Sequence, residues 1–121
     1  MFGNAQGIGI NNFYAPYLNY AEDATGSVEA LLSVTIAAAG TLSNFRMKYT
    51  AGTSNGAATA ILRKNGTNTS MTATVANGAS SGSDTTHTVS VAIGDIISII
   101  STTSSTPSVN AILWISVDWG P

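Results

Sequence analysis

The stretch from Ala57 to Ala76, AATAILRKNGTNTSMTATVA, constrains the fold more than any other part of the chain. Asn65-Gly66 stands between two segments that alternate apolar and polar residues. Ala58, Ala60 and Leu62 share one parity before it, and Met71, Ala73 and Val75 share one parity after it. A period of two puts each set on a single face of a strand. Asn-Gly is the pair that a two-residue type I′ turn asks for, because both central residues need positive φ. The stretch predicts a β-hairpin with one buried face, and a lone hairpin is marginal in water without further strands.

The rest of the chain supplies those strands. Val28–Ile36 (VEALLSVTI) is rich in β-branched residues and is broken by Gly40. In Thr41–Thr50, Phe45, Met47 and Tyr49 fall on one face and Arg46 and Lys48 on the other, the signature of a half-buried strand. Asn77–Asp84 reads as a Gly/Ser loop, Thr85–Ala92 as a strand, and Gly94-Asp95 as a turn. Ile96–Thr103 is apolar on both faces and reads as a central strand. In Val109–Trp119, Val109, Ala111, Leu113, Ile115, Val117 and Trp119 share one face, with Ile112 and Trp114 on the other. About seven short strands with turn signals every 8–12 residues or so, and no competing helical period, predict an all-β fold: an antiparallel β-sandwich, jelly roll included. At 121 residues the chain is expected to form one domain, with 28–121 as the sandwich.

Residues 1–27 differ. They carry Phe2, Phe13, Tyr14, Tyr17 and Tyr20 among Gly, Asn and Ala, and Pro16 forbids a regular helix through the middle. Two readings stand side by side. One is an extended N-terminal arm whose aromatic side chains order on a partner. The other is the first strand of the sandwich, with its rings in the core. Exchange of the segment between subunits satisfies both.

Charge narrows the function classes. Only 8% of residues are Asp, Glu, Lys or Arg, and the formal net charge is −2. Globular domains average about 25% charged residues, whereas here Ser and Thr fill about a quarter of the chain. The expected surface is neutral and rich in hydroxyls, so copies repel one another weakly and tend to associate. Lys and Arg total 4, too few for a nucleic-acid footprint. Apolar stretches near Leu31–Ala39 and Ile96–Ile100 fall far short of the ~20 residues that span a bilayer as a helix, so no membrane partner is expected. The start, MFGNAQGIGINNF, has neither a positive region nor a continuous apolar run of the signal-peptide kind. Cysteine is absent, which removes disulfides and thiolate metal sites.

Candidate chemistry centres on His87, the single histidine, in Ser81–Asp95 (SGSDTTHTVSVAIGD). Nucleophilic catalysis needs serine, imidazole and carboxylate in a hydrogen-bonded chain. Ser83, Asp84 and His87 are close in sequence, but on an extended strand side chains three apart point to opposite faces. No Gly-x-Ser-x-Gly elbow is present. The expected role for His87 is a rim residue bonded to a neighbouring loop. Asp84 and Asp95 flank a strand, where Asx side chains cap backbone N–H groups. The other acids, Glu22, Asp23, Glu29 and Asp118, form no pair with a claim to acid–base work, and no metal-ligand spacing appears. Arg63 and Lys64 beside the hairpin turn suit a solvated tip. Asn65-Gly-Thr and Asn68-Thr-Ser match the N-glycosylation pattern but carry little weight without a secretion signal. No catalytic residue, cofactor or metal is expected.

Three short motifs, Leu62-Arg63-Lys64-Asn65-Gly66, Asp84-Thr85-Thr86-His87 and Gly94-Asp95, lie within about Ala37 to Trp119. This pattern resembles small β-sandwich virion structural proteins of tailed bacteriophages, of the capsid decoration or cement type. Those proteins are similar to the jelly roll of tumour necrosis factor and complement proteins. The resemblance implies a homotrimer on the outer capsid surface with the major capsid protein as partner. The motif residues are turn and strand residues, so they speak to fold more than to activity. Ile61 departs from the pattern, where a hydroxyl residue is expected, and an apolar side chain there suits a subunit contact. The candidate contact residues for the capsid or for another subunit are Phe2, Phe13, Tyr14, Tyr17, Tyr20, Ile61 and Trp114. The alternative is a receptor- or glycan-binding knob of a phage tail or fibre, with Trp114 or Trp119 as stacking residues. A hydrolase built on His87 is the third reading.

Overall fold

The fold comes from a computed structural model, which describes residues 4–6, 12–14, 25–26, 33–49, 56–103 and 112–121. The described residues form eleven strands: β1 (Asn4–Gln6), β2 (Asn12–Tyr14), β3 (Thr25–Gly26), β4 (Val34–Thr35), β5 (Gly40–Tyr49), β6 (Ala58–Lys64), β7 (Thr67–Val75), β8 (Ser81–Asp84), β9 (Val89–Val91), β10 (Ile96–Thr103) and β11 (Ile112–Gly120). They pair antiparallel in two sheets that pack face to face as a sandwich. One sheet runs β1-β11-β5-β8, with β9 also on β5. The other runs β3-β2-β10-β6-β7, with β4 also on β10.

The hairpin forms as the sequence predicts. β6 and β7 pair across Asn65 and Gly66, whose φ values of 50° and 78° fit a type I′ turn. Ala58, Ala60 and Leu62 on β6 and Met71, Ala73 and Val75 on β7 are buried. Opposite them lie Leu42, Phe45 and Met47 from β5 and Ile115 and Val117 from β11. Val89 and Val91 of β9 and Ile97 and Ile99 of β10 complete the core. β10 is central, as its two apolar faces predict. It carries β6 on one side and both β2 and β4 on the other, and Ser98 is buried along with its neighbours.

Two bulges interrupt the alternation. Leu42 and Phe45 are three apart, yet both are buried. Between them Asn44 takes φ 51°, and the β5–β11 register shifts by one residue, from Arg46 opposite Ser116 to Ser43 opposite Asp118. One extra residue on β5 turns Leu42 back toward the core. The Asn44 Nδ2 donates to Asp118 Oδ2 at 2.8 Å, which fastens the bulge to β11. On β7 the register shifts between Ile61 and Arg63. There the Thr69 hydroxyl donates to the Leu62 carbonyl at 2.8 Å and accepts from the Met71 N–H at 3.2 Å, replacing ladder bonds that the bulge breaks.

Several expectations need correction. Ser81–Asp84, read as loop, is strand β8, paired with Phe45–Lys48 of β5. Thr85–Thr88, read as strand, is loop, and the strand is confined to Val89–Val91. Trp119 is not in the core with Ile115 and Val117. It is 49% exposed and lies across Gly40, where a Cβ would come within 2.5 Å of the indole Nε1. Of the strand expected over 28–36, only Val34–Thr35 is strand, and 28–32 lie outside the described residues. Residues 109–111 of the last strand also lie outside them. From the first 27 residues, β1 pairs with β11 in one sheet, while β2 pairs with β10 and with β3 in the other. These three segments are strands of the sandwich, one sheet after the other.

Candidate functional site

The motif residues form two compact corners, each built around one aspartate. At the first corner Asp84 ends β8 with its carboxylate turned inward and nearly covered. Its Oδ1 accepts the N–H groups of Thr86 at 3.1 Å and His87 at 3.0 Å, and the Thr86 hydroxyl at 3.0 Å. Its Oδ2 faces the Thr72 N–H at 3.0 Å and His87 Nδ1 at 2.8 Å. A carboxylate offers about four lone-pair sites, and five donors surround this one. Burial alone pushes the Asp84 carboxyl pKa up, but the backbone bonds from His87 and Thr72, with the other two residue contacts, outweigh burial and hold it well below the ordinary range.

Thr72 belongs to β7, the edge strand of the opposite sheet. The Asp84 side chain therefore spans the two sheets and occupies an edge N–H that would otherwise face solvent or another chain. Close approach at this seam requires Gly82, because a Cβ there would sit 1.9 Å from the Thr74 carbonyl oxygen. Glycine is a poor strand former, and that is why Ser81–Asp84 reads as loop.

The structure brings Asp84 and His87 together, against the expectation of opposite faces. That expectation assumed an extended strand, whereas Thr85–His87 is a turn folded over the carboxylate. Ser83 is not the third member of a triad. It is exposed, with Arg46 as its cross-strand partner, while Asp84 on the same strand is buried. The His87 side chain is about half exposed, and among the described residues no serine hydroxyl bonds its ring. Asp84 is saturated by three backbone N–H groups, the Thr86 hydroxyl and the His87 ring, and works as a turn cap that also orients the imidazole. The capping role expected of the acids is what the geometry shows. The contacts to Thr72 and to the His87 ring are what the sequence reading missed. Asp84-Thr85-Thr86 carries the Asx-turn signal, but nothing local names a partner twelve residues back.

At the second corner Asp95 joins the β6–β7 hairpin to the turn before β10. Its Oδ2 accepts the Ala92 N–H at 2.7 Å and pairs with Lys64 Nζ at 2.9 Å. Its Oδ1 accepts Asn65 Nδ2 at 2.8 Å. Asn65 continues the β6–β10 ladder by one step: its N–H donates to the Ile96 carbonyl at 2.7 Å, and its Oδ1 accepts the Ile96 N–H at 2.8 Å. Lys64 also donates to the Ser90 carbonyl at 2.8 Å. The Ala92 N–H, the Lys64 ammonium and the Asn65 amide hold the Asp95 carboxyl down at about 2. Arg63 donates to the Gly66 carbonyl and to Asn68 Oδ1, closing the hairpin tip on itself. Arg63 and Lys64 are thus engaged in the fold rather than free at a solvated tip. Among the described residues no group of three or more His, Cys, Asp or Glu is placed to hold a metal.

The candidate contact residues divide by position. Ile61 lies on β6 on the face opposite Ala60 and Leu62, and is half-buried. Its cross-strand partners are Thr72 on β7 and Ile100 on β10. Phe13 pairs with Ile100, so the row Ile61, Ile100, Phe13 crosses three neighbouring strands of one sheet. Tyr14 pairs with Ile99, one step along. Trp114 is far from that row, in the other sheet, between Asn4 and Lys48. Phe2, Tyr17 and Tyr20 lie outside the described residues. No protein-family model matches the chain, and no curated protein matches it.

Proposed function

We propose that this chain is a viral capsid decoration, or cement, protein that binds the outer surface of the major capsid shell as a trimer and stabilises it. The observation that carries the reading is the row Ile61, Ile100, Phe13 on a sheet of a domain in which only 8% of residues are charged. Ile61 and Ile100 are cross-strand partners on the face away from Leu62 and Ile99, only half-buried, and an apolar pair there suits a covering partner. Asp84, Asp95 and Asp118 each bond within the chain, and with so few charged residues the surface suits close, weakly repelling contact. The resemblance of Leu62–Gly66, Asp84–His87 and Gly94–Asp95 to decoration proteins of tailed bacteriophages points the same way.

The finer fold belongs to this proposal. The order β1-β11-β5-β8 against β2-β10-β6-β7 supports a jelly roll, since the chain passes repeatedly between the sheets after β5 and β10 returns between β2 and β6. The mechanism is adhesive: a protein that binds only the assembled shell stabilises it by mass action. Adding the purified protein to shells that lack it tests this. Saturable co-sedimentation and a higher disruption temperature are expected, and no binding overturns the reading.

A second reading, a receptor- or glycan-binding knob, has one observation in its favour. Trp119 is half exposed on a strand, seated over Gly40, and presents an aromatic surface of the kind that stacks on sugars. A glycan-array screen separates the two, because a cement protein gives no ligand.

A further inference from the structure

The chain holds two Asn-Gly pairs in tight turns among its described residues, Asn65-Gly66 and Asn77-Gly78, and the structure treats their side chains in opposite ways. We propose that Asn77 is a site of spontaneous deamidation in the folded protein, and that Asn65, the same dipeptide, is protected by the Asp95 corner.

The chemistry is intrinsic to the dipeptide. The glycine nitrogen attacks the asparagine Cγ, a bond from that nitrogen to Cγ forms, and the Cγ–Nδ2 bond breaks. The glycine N–H proton leaves with Nδ2 as part of ammonia. A water molecule then opens the cyclic imide at either carbonyl and gives aspartate or isoaspartate. Glycine favours the first step because no Cβ hinders its nitrogen. The folded structure decides whether the side chain is free to make the approach.

At Asn77 only one end of the amide is held. The residue is exposed in the turn Ala76–Ala79, which is closed by the Ala79 N–H on the Ala76 carbonyl at 2.9 Å. Gly78 has φ 79° and open space where a Cβ would be, and among the described residues its N–H has no acceptor. One bond reaches the Asn77 side chain, from the Gly56 N–H to Oδ1 at 3.0 Å. That bond restrains the oxygen end alone and leaves Nδ2, the departing group, unbonded among the described residues.

At Asn65 both ends of the amide are held away from its own backbone. Nδ2 is fixed on Asp95 Oδ1 and Oδ1 on the Ile96 N–H, each at 2.8 Å. Turning Cγ toward the Gly66 nitrogen breaks both bonds. The product is also opposed, because it sets a new carboxylate against that of Asp95.

The test is a time course of the full-length folded protein in mildly alkaline buffer, followed by peptide mapping with mass spectrometry that resolves aspartate from isoaspartate. Conversion at Asn77 is expected to be at least about tenfold faster than at Asn65, a barrier difference of at least about 1.4 kcal/mol. In denaturant the two rates should converge, since the local sequence is then all that matters. Asp95→Ala should raise the Asn65 rate toward that of Asn77. Should this variant fail to fold, the wild-type comparison in and out of denaturant decides alone. Equal rates at the two sites in the folded protein, or an Asn77 that stays intact while Asn65 converts, overturn the proposal.

Discussion

The Asp84 carboxylate, at the end of β8 in one sheet, accepts the backbone N–H of Thr72, on the edge strand β7 of the other, at 3.0 Å. A single side chain thus closes the open flank of the sandwich, and it does so from the motif that first suggests catalysis. Asp84→Ala leaves the N–H groups of Thr72, Thr86 and His87 without their acceptor. A cost of about 2–4 kcal/mol is expected, given about 1–3 kcal/mol for each buried group left unsatisfied and partial rescue by water. Urea unfolding should show it as a lower midpoint at an unchanged slope. His87→Ala, which removes a half-exposed ring and keeps every backbone bond, should cost less than about 1 kcal/mol.

Both aspartates make stability depend on pH in the same direction. Their folded pKa values are depressed, so the unfolded chain takes up protons first as pH falls. Their contribution is fully present above the ordinary carboxyl value of 3.8 and is lost below it, for Asp95 between there and about 2. Asp84, held lower still, goes on losing its share beneath that window. The thermal midpoint should be flat from neutral pH down to about 5 and fall below about 4. Asp95→Asn should flatten part of that fall, and an acid limb unchanged in this variant contradicts the assignment.

Gly82→Ala and Gly66→Ala separate two reasons for glycine. At Gly82 the new Cβ meets the Thr74 carbonyl oxygen at 1.9 Å, so β8 has to move off β7, at an expected cost of about 3 kcal/mol or more. At Gly66 nothing lies within 4 Å, and only the positive φ is strained, at about 1–2 kcal/mol. Denaturant midpoints of the two variants rank them, and the reverse order refutes the seam.

Removing residues 1–20 takes β1 from β11 and β2 from between β10 and β3. The net worth of such ladder bonds is about 1 kcal/mol each, so a loss of at least about 2–4 kcal/mol is expected. A truncated protein that unfolds at the wild-type midpoint shows that these strands add nothing to the sandwich.

The legible parts of the fold are those where a strand has one wet face and one dry one. Ala58–Leu62, Phe45–Met47 and Met71–Val75 announce themselves by alternation, and Asn65-Gly66 by its φ demand. The illegible parts are those decided by distant contacts. Gly82 looks like a loop residue because its reason for being there is the Thr74 backbone. Leu42 breaks parity because Asn44 adds a residue to β5. Asp84 and His87 meet only because the chain turns between them. At the candidate interface, Ile61 and Phe13 are both legible as contact candidates, but their meeting across Ile100 comes from strand order, which one sequence does not encode locally.

Ile61→Thr tests that outer row without touching the core. The side chain is half-buried on the face away from Leu62, so the change in stability should stay within about 1 kcal/mol. Self-association by analytical ultracentrifugation, and binding to shells, should both weaken. Loss of folding without change in association contradicts a contact role.

The most direct measurement is the copy number of this chain in purified particles, counted against the major capsid protein by quantitative mass spectrometry. The account predicts a fixed stoichiometric ratio of comparable size, as a protein spread across the shell requires. A handful of copies per particle, or none, contradicts it.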